Sequence, residues 1–174
     1  SAPESITRLL DMGMDPFNFA DALLGILAQR LGKRLCSECK QAYTPSPEEM
    51  KSLLTEYCEE LLNTAAFKQD AKAGYESVYK EWAKNYADEK GQFKLYRAKG
   101  CEKCSNTGYK GRVGLHELMV GTDNAKKLIQ EHARVADLVA CALEDGMRTL
   151  KQDGIEKVLQ GITDIKQVRA VCIK

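Results

Sequence analysis

Two Cys-x-x-Cys pairs, Cys36/Cys39 and Cys101/Cys104, carry the clearest chemistry in this sequence. Two residues between cysteines make a tight knuckle that lets both sulfurs point at one centre, and two knuckles together supply four thiolates at tetrahedral geometry. Soft donors in that number suit Zn2+ better than any hard cation. A redox-active Cys-x-x-Cys needs only one pair in a thioredoxin-like βαβ setting, and an iron–sulfur site is the other alternative; neither accounts for two similar pairs joined to strands. Ligation by four sulfurs leaves no open coordination position, so the ion is expected to be structural, with the roughly 10–16 kcal/mol apparent binding free energy typical of such sites. Residues 40–100 separate the pairs. Loop-closure entropy grows only with the logarithm of loop length, so one ion can fasten the root of a long excursion at little additional cost.

The seven cysteines are an odd number, and the remaining three, Cys58, Cys141 and Cys172, stand alone in apolar surroundings. They read as small hydrophobes that fill packing positions. His116 lies alone in a strand-like pattern and reads as a packing or solvent-facing side chain in preference to a further ligand. The amino-terminal stretch SAPESITRLLDMGMD has neither the basic region nor the apolar run of a signal peptide, and no segment is apolar for long enough to cross a bilayer. The chain therefore reads as cytosolic, where thiols stay reduced. With 26 Lys+Arg against 25 Asp+Glu in 174 residues, it lacks the overall positive field of a nucleic-acid binder.

The elements that must position the cysteines follow from periodicity and capping. Residues 3–12 carry Ile6, Leu9 and Leu10 at helical spacing and stop at Gly13. The stretch FADALLGILAQRL places Phe19, Leu23, Ile26, Leu27 and Leu31 on one helical face, with Asn18 as N-cap and an end near Gly32, leading into Cys36. Ser46-Pro47-Glu48-Glu49 is a capping signature for a helix from 47 to about Asn63. Tyr75, Val78, Tyr79, Trp82 and Tyr86 mark a second helix within 68–88, whose aromatic stripe reads as the apolar seam of a helical pair. FKLYRAKG and VGLHELMV read as strands on either side of the second knuckle, with Gly108 and Gly111 bracketing a turn. From Thr122 onward the pattern is helical, punctuated by Gly146, Gly154 and Gly161, with Thr163-Asp164 capping the last helix. The expected fold class is mainly α with short β-strands. Its parts are a helical segment (1–35), a tetracysteine module with a helical insertion at about 46–90 (36–104), and a strand with a carboxy-terminal helical cluster (105–174).

FADALLGILAQRLGKRLC, the paired knuckles, TGYKGRVGLHELM and GMRTLKQDGIEKVLQGITDIKQVRAV occur in this order. Together they resemble the carboxy-terminal part of the type II secretion and type IV pilus assembly ATPases, the GspE/PilB family. The resemblance covers nearly the whole chain apart from 40–100, which is longer than expected between such knuckles. It implies that the chain is part of a RecA-like ATPase domain. The full-length protein is then a cytoplasmic homo-hexameric motor peripheral to the inner membrane, working on membrane platform proteins without inserting into the bilayer itself. It also implies zinc on Cys36, Cys39, Cys101 and Cys104. Arg112, at the position of the family's Gly-Arg motif, becomes a candidate for contacting nucleotide bound by a neighbouring subunit; an ion pair with Glu117 or Glu38, or a solvated turn, is the simpler assignment. No G-x-x-x-x-G-K-[ST] phosphate loop and no Walker B acidic segment occur in the chain, so ATP and Mg2+ belong only to the full-length parent and this segment alone is expected not to be an enzyme. A zinc ribbon that binds nucleic acid or serves as a general protein-interaction module is the alternative. The near-neutral charge and the acidic PEEM stretch argue against nucleic acid.

Overall fold

The computed structural model describes residues 1–172. It opens with helix α1 (Ala2–Asp11), where Ser1 and Glu4 form a reciprocal capping box, and Gly13 turns the chain at φ +95°. Helix α2 (Pro16–Ala22) follows, capped by Asp15 and not by Asn18, and it ends far short of Gly32. From Gly25 to Leu35 the chain is strand β1, not helix. The spacing of Leu23, Ile26, Leu27 and Leu31 satisfies a helical template. Strand β4 (Tyr109–Val120) nevertheless claims the segment by pairing antiparallel along nearly its whole length, from Gly25 opposite Val120 to Leu35 opposite Tyr109. A short apolar run is ambiguous between the two periods, and a long-range partner decides it.

The β1–β4 ribbon slips register by one residue between Lys33 and Leu35, because Lys110 and Gly111 together oppose Arg34. Gly111 takes φ +81° there, so it forms the left-handed residue of a bulge inside the strand and does not bracket a turn. After the first knuckle, β2 (Gln41–Tyr43) pairs antiparallel with β3 (Leu95–Arg97). The insertion between them contains α3 (Pro47–Glu59), the short α4 (Ala65–Gln69) and α5 (Ala71–Tyr86), with Ser46 and Asp70 as caps for α3 and α5. Four helices complete the described chain: α6 (Asp123–Gln130), α7 (Val135–Glu144), α8 (Leu150–Leu159) and α9 (Ile165–Val171). The fold is about half helical, less than the mainly α fold expected, with two long antiparallel strands, β1 of 11 and β4 of 12 residues, and two of only three residues.

Two apolar cores hold these elements. One gathers Ala2, Ile6, Ala20 and Leu23 with Met119, Ile129, Leu138 and Met147, joining α1 and α2 to α6 and α7 across one face of the ribbon. The other places Met50, Leu53, Tyr57 and Trp82 of the insertion against Ile155, Val158, Leu159 and Val168 of α8 and α9. Trp82 is 2% exposed and stands edge-on to Tyr57 at 5.2 Å, so the aromatic stripe forms a core and leaves only Tyr79 at the surface. Gly154 lies inside α8. A Cβ there would meet Val168 at 2.6 Å, so the glycine permits close approach of α9 and does not punctuate the helix.

Candidate metal centre

The turn chemistry of each knuckle converges four sulfurs at one point. The ligand atoms of Cys36, Cys39, Cys101 and Cys104 all lie within 4.8 Å of one another, with Sγ–Sγ separations of 3.9 Å for Cys36–Cys101 and Cys39–Cys104 and 3.8 Å for Cys101–Cys104. Four sulfurs about 2.3 Å from a shared zinc ion would stand about 3.8 Å apart along each tetrahedral edge, so the set has the size that a four-thiolate site requires. Cys36 and Cys104 are buried, whereas Cys39 and Cys101 are half-buried.

Backbone amides tune the sulfurs unequally. Gly100 N–H donates to Cys39 Sγ at 3.4 Å, and the N–H groups of Cys101 and Gly108 donate to Cys104 Sγ at 3.3 and 3.2 Å. Burial alone would raise the Cys104 thiol, but those two amides, helped by the Cys101 and Cys39 sulfurs, draw it down to about 6. Burial pushes Cys39 up to about 11, with the neighbouring sulfurs adding to the rise and the Gly100 amide opposing it. Cys104 is thus favoured as a thiolate while Cys39 resists negative charge, a resistance that a divalent cation at the centre would relieve. Gly100 and Gly108 hold φ +113° and +83°. A Cβ at Gly108 would come within 2.5 Å of Ala98 and one at Gly100 within 2.9 Å of the Asn106 carbonyl. Only glycine brings these amides so close to the sulfurs.

A second layer ties the knuckles to the carboxy-terminal helices, and sequence reasoning did not find it. The turn between α8 and α9 receives Leu35 N–H on the Ile162 carbonyl (2.9 Å), sends the Thr163 hydroxyl to the Lys33 carbonyl (2.8 Å), and receives Lys40 Nζ on the Gly161 carbonyl (2.8 Å). Lys40 also lies over the Tyr96 ring at 4.4 Å, and the Tyr109 hydroxyl donates to Asp164. Gly161, at φ +78°, leaves room for that ring, which a Cβ would meet at 2.6 Å. Each contact depends on residues far apart in sequence, so only the positive φ of a glycine after a helix was a readable signal.

Arg112 lies outside the sulfur cluster, exposed on the ribbon face directly opposite Lys33. Among the described residues it forms no ion pair, with Glu117, Glu38 or any other carboxylate. Arg30 and Arg34 belong to β1. His116 is exposed and apart from the cysteines. Glu117 faces the opposite way from Arg112 and is only 3% exposed. Its two carboxylate oxygens accept the backbone N–H groups of Ala2 (2.7 Å) and Leu150 (3.0 Å), the first residues of α1 and α8. Of the lone thiols, Cys58 is buried and pushed up to about 12, and Cys141 is pushed up to about 11, both chiefly by burial.

Residues 1–170 match the family model described as type II/IV secretion system protein. The chain belongs to this family. It is 36% identical to the type IV pilus assembly ATPase PilB of Thermus thermophilus over 99% of its own length and 16% of that protein's. It is 34% identical to the type II secretion system ATPase E of Vibrio cholerae over 98% of the chain and 27% of the relative. Identity is also 34% to PilB of Pseudomonas aeruginosa, over 98% of the chain and 25% of the relative. The chain therefore spans about a quarter or less of the length of these curated relatives. Among the described residues no helix is long and apolar enough to cross a membrane.

Proposed function

We propose that this chain is the carboxy-terminal, zinc-fastened segment of a longer secretion or pilus-assembly ATPase. In it, Cys36, Cys39, Cys101 and Cys104 hold one structural Zn2+, and the segment supports subunit contacts and couples nucleotide-driven motion to an inner-membrane platform. The observation that carries the reading is the four-sulfur set of tetrahedral size within a chain that matches the secretion ATPase family from residue 1 to residue 170. When bound, the ion supplies a rigid cross-link between knuckles distant in sequence. The turn between α8 and α9 then passes displacement between the cross-linked knuckles and the helical cluster, through Leu35, Lys33, Lys40 and Tyr109.

The ribbon face opposite the core displays Leu27 (56% exposed) beside Leu118 (53%), with Leu31 and Val120 along the same stripe. Exposed apolar side chains on this face support further protein packing there in the full-length homo-hexamer. Arg112, exposed at the end of that face and without an ion-pair partner among the described residues, is the residue proposed to reach nucleotide bound by a neighbouring subunit. The parent acts in the cytoplasm, peripheral to the inner membrane, and binds ATP and Mg2+ outside this segment. Metal analysis of the purified chain tests the central claim: one zinc per chain is expected, and a chain that cannot be loaded with zinc overturns it. In the full-length protein, Arg112→Ala is expected to lower ATP hydrolysis while leaving zinc content unchanged.

A further inference from the structure

Four cations crowd the end of the β1–β4 ribbon that runs into the knuckles. Lys33 lies directly opposite Arg112, so the two share the exposed ribbon face, and Arg34 lies opposite the bulge made by Lys110 and Gly111. Lys33, Arg34, Lys110 and Arg112 are all exposed, and among the described residues none of them forms an ion pair. Asp164, which meets this end of the ribbon at Tyr109, is already engaged by the Tyr109 hydroxyl and the Gln167 N–H. Like charges directly across a strand pair destabilise it. The whole chain carries a net charge of only +1, so this concentration is local. The backbone beneath it is held in place: the Lys33 carbonyl accepts the Thr163 hydroxyl at 2.8 Å, and Leu35 N–H reaches the Ile162 carbonyl at 2.9 Å.

We infer that Lys33 and Arg112 together form an oligophosphate clamp, with Arg34 and Lys110 adding positive charge beside it. The inference rests on the reading of Arg112 above and deepens it by assigning Lys33 as its partner. Directly opposite strand residues have Cβ atoms about 4.5–5.5 Å apart, so two long side chains converge on one small ligand. The Arg112 guanidinium offers a planar fork to two oxygens of one phosphate, and the Lys33 ammonium offers a point charge to the next phosphate along. A lone carboxylate would satisfy one cation and leave its neighbour uncompensated, whereas linked phosphates neutralise both. A strand pair fixed to the turn between α8 and α9 presents the cations on a rigid support, which lowers the ordering cost of binding. The ligand class is a nucleoside polyphosphate carried by a neighbouring subunit and held through its phosphates. Anionic lipid headgroups are the other source of the same chemistry, and the test separates the two.

The test titrates the zinc-loaded full chain with inorganic tripolyphosphate by calorimetry at low ionic strength, and in parallel sediments it with phosphatidylglycerol vesicles. Lys33→Ala and Arg112→Ala are each expected to weaken tripolyphosphate binding about tenfold, the effect of losing one charge-assisted contact. Lys33→Arg should restore it, and Lys72→Ala, which removes an exposed lysine of α5, should leave it unchanged. Zinc content and circular dichroism of each variant confirm that it is folded. A loss with Arg112→Ala but not with Lys33→Ala overturns the clamp and leaves the reading of Arg112 standing. An equal loss with Lys72→Ala, or sedimentation with the vesicles without any binding of tripolyphosphate, also overturns the clamp. If the clamp stands but Arg112→Ala leaves ATP hydrolysis of the full-length protein unchanged, the reading of Arg112 fails, and the assignment of a neighbouring subunit's nucleotide fails with it.

Discussion

Replacing Glu117 by Gln isolates how one buried carboxylate organises two helix starts. Its oxygens accept Ala2 N–H at 2.7 Å and Leu150 N–H at 3.0 Å, and the side chain is almost completely enclosed. Glutamine is nearly isosteric, but it keeps one acceptor oxygen and turns an NH2 donor toward the other backbone N–H. One charge-assisted hydrogen bond is lost, at about 1.5–3 kcal/mol. The negative charge at two positive helix ends disappears as well, at about 0.3–1 kcal/mol each. The expected loss is therefore about 2–5 kcal/mol, a large part of the 5–15 kcal/mol typical of a domain. Urea denaturation followed by far-ultraviolet circular dichroism should show the midpoint falling by about 1 M or more at an unchanged slope. Leu118→Gln, on the exposed face one residue away, should stay within about 0.5 kcal/mol of the parent. A Glu117→Gln midpoint indistinguishable from the parent would refute the double-cap assignment.

Gly154→Ala should destabilise by about 1–3 kcal/mol by calorimetry, because the added Cβ meets Val168 at 2.6 Å and Leu115 at 3.2 Å, and this overpacking outweighs the helix-propensity gain of about 1 kcal/mol. Cys101→Ser should abolish stoichiometric zinc and raise hydrogen exchange in 36–40 and 98–108. The helices α8 and α9 should stay protected by Met50, Leu53, Tyr57 and Trp82, and unchanged zinc content would contradict the site. The Glu56 carboxyl is held below its ordinary value, first by the Arg169 hydrogen bond and with help from Lys151, against the opposing effect of burial. A depressed carboxylate stabilises the fold above its unfolded value near 4.5 and loses that contribution as pH falls through the folded one. Glu56→Gln should therefore flatten the acid side of the thermal midpoint profile below about pH 4.5, and an unchanged profile would discount the pair.

Local chemistry was legible wherever neighbours in sequence do the work. The Cys-x-x-Cys spacing reads directly as two knuckles, and the caps at Ser46 and Asp164 start α3 and α9 with their side chains on Glu49 and Gln167. The helical period of Tyr75, Val78 and Trp82 likewise marks α5 and its buried face. Such signals involve interactions a few residues apart, so any window of the sequence contains both partners.

Tertiary structure decided the rest, because the deciding partner lies far along the chain. Gly25–Leu35 is a strand only because Tyr109–Val120 lies beside it. Gly111 and Gly154 look like ordinary punctuation until a bulge opposite Arg34 and the close approach of Val168 reveal their roles. Glu117 resembles any strand carboxylate until two helix starts converge on it. The cysteine types and spacings announce a capacity to bind metal, whereas pairing β2 with β3 and seating both knuckle roots on the turn between α8 and α9 bring the four sulfurs to one point. Amide placement then makes those sulfurs unequal. A sequence specifies which donors exist, but their distances and the dielectric around them arise only when remote segments pack.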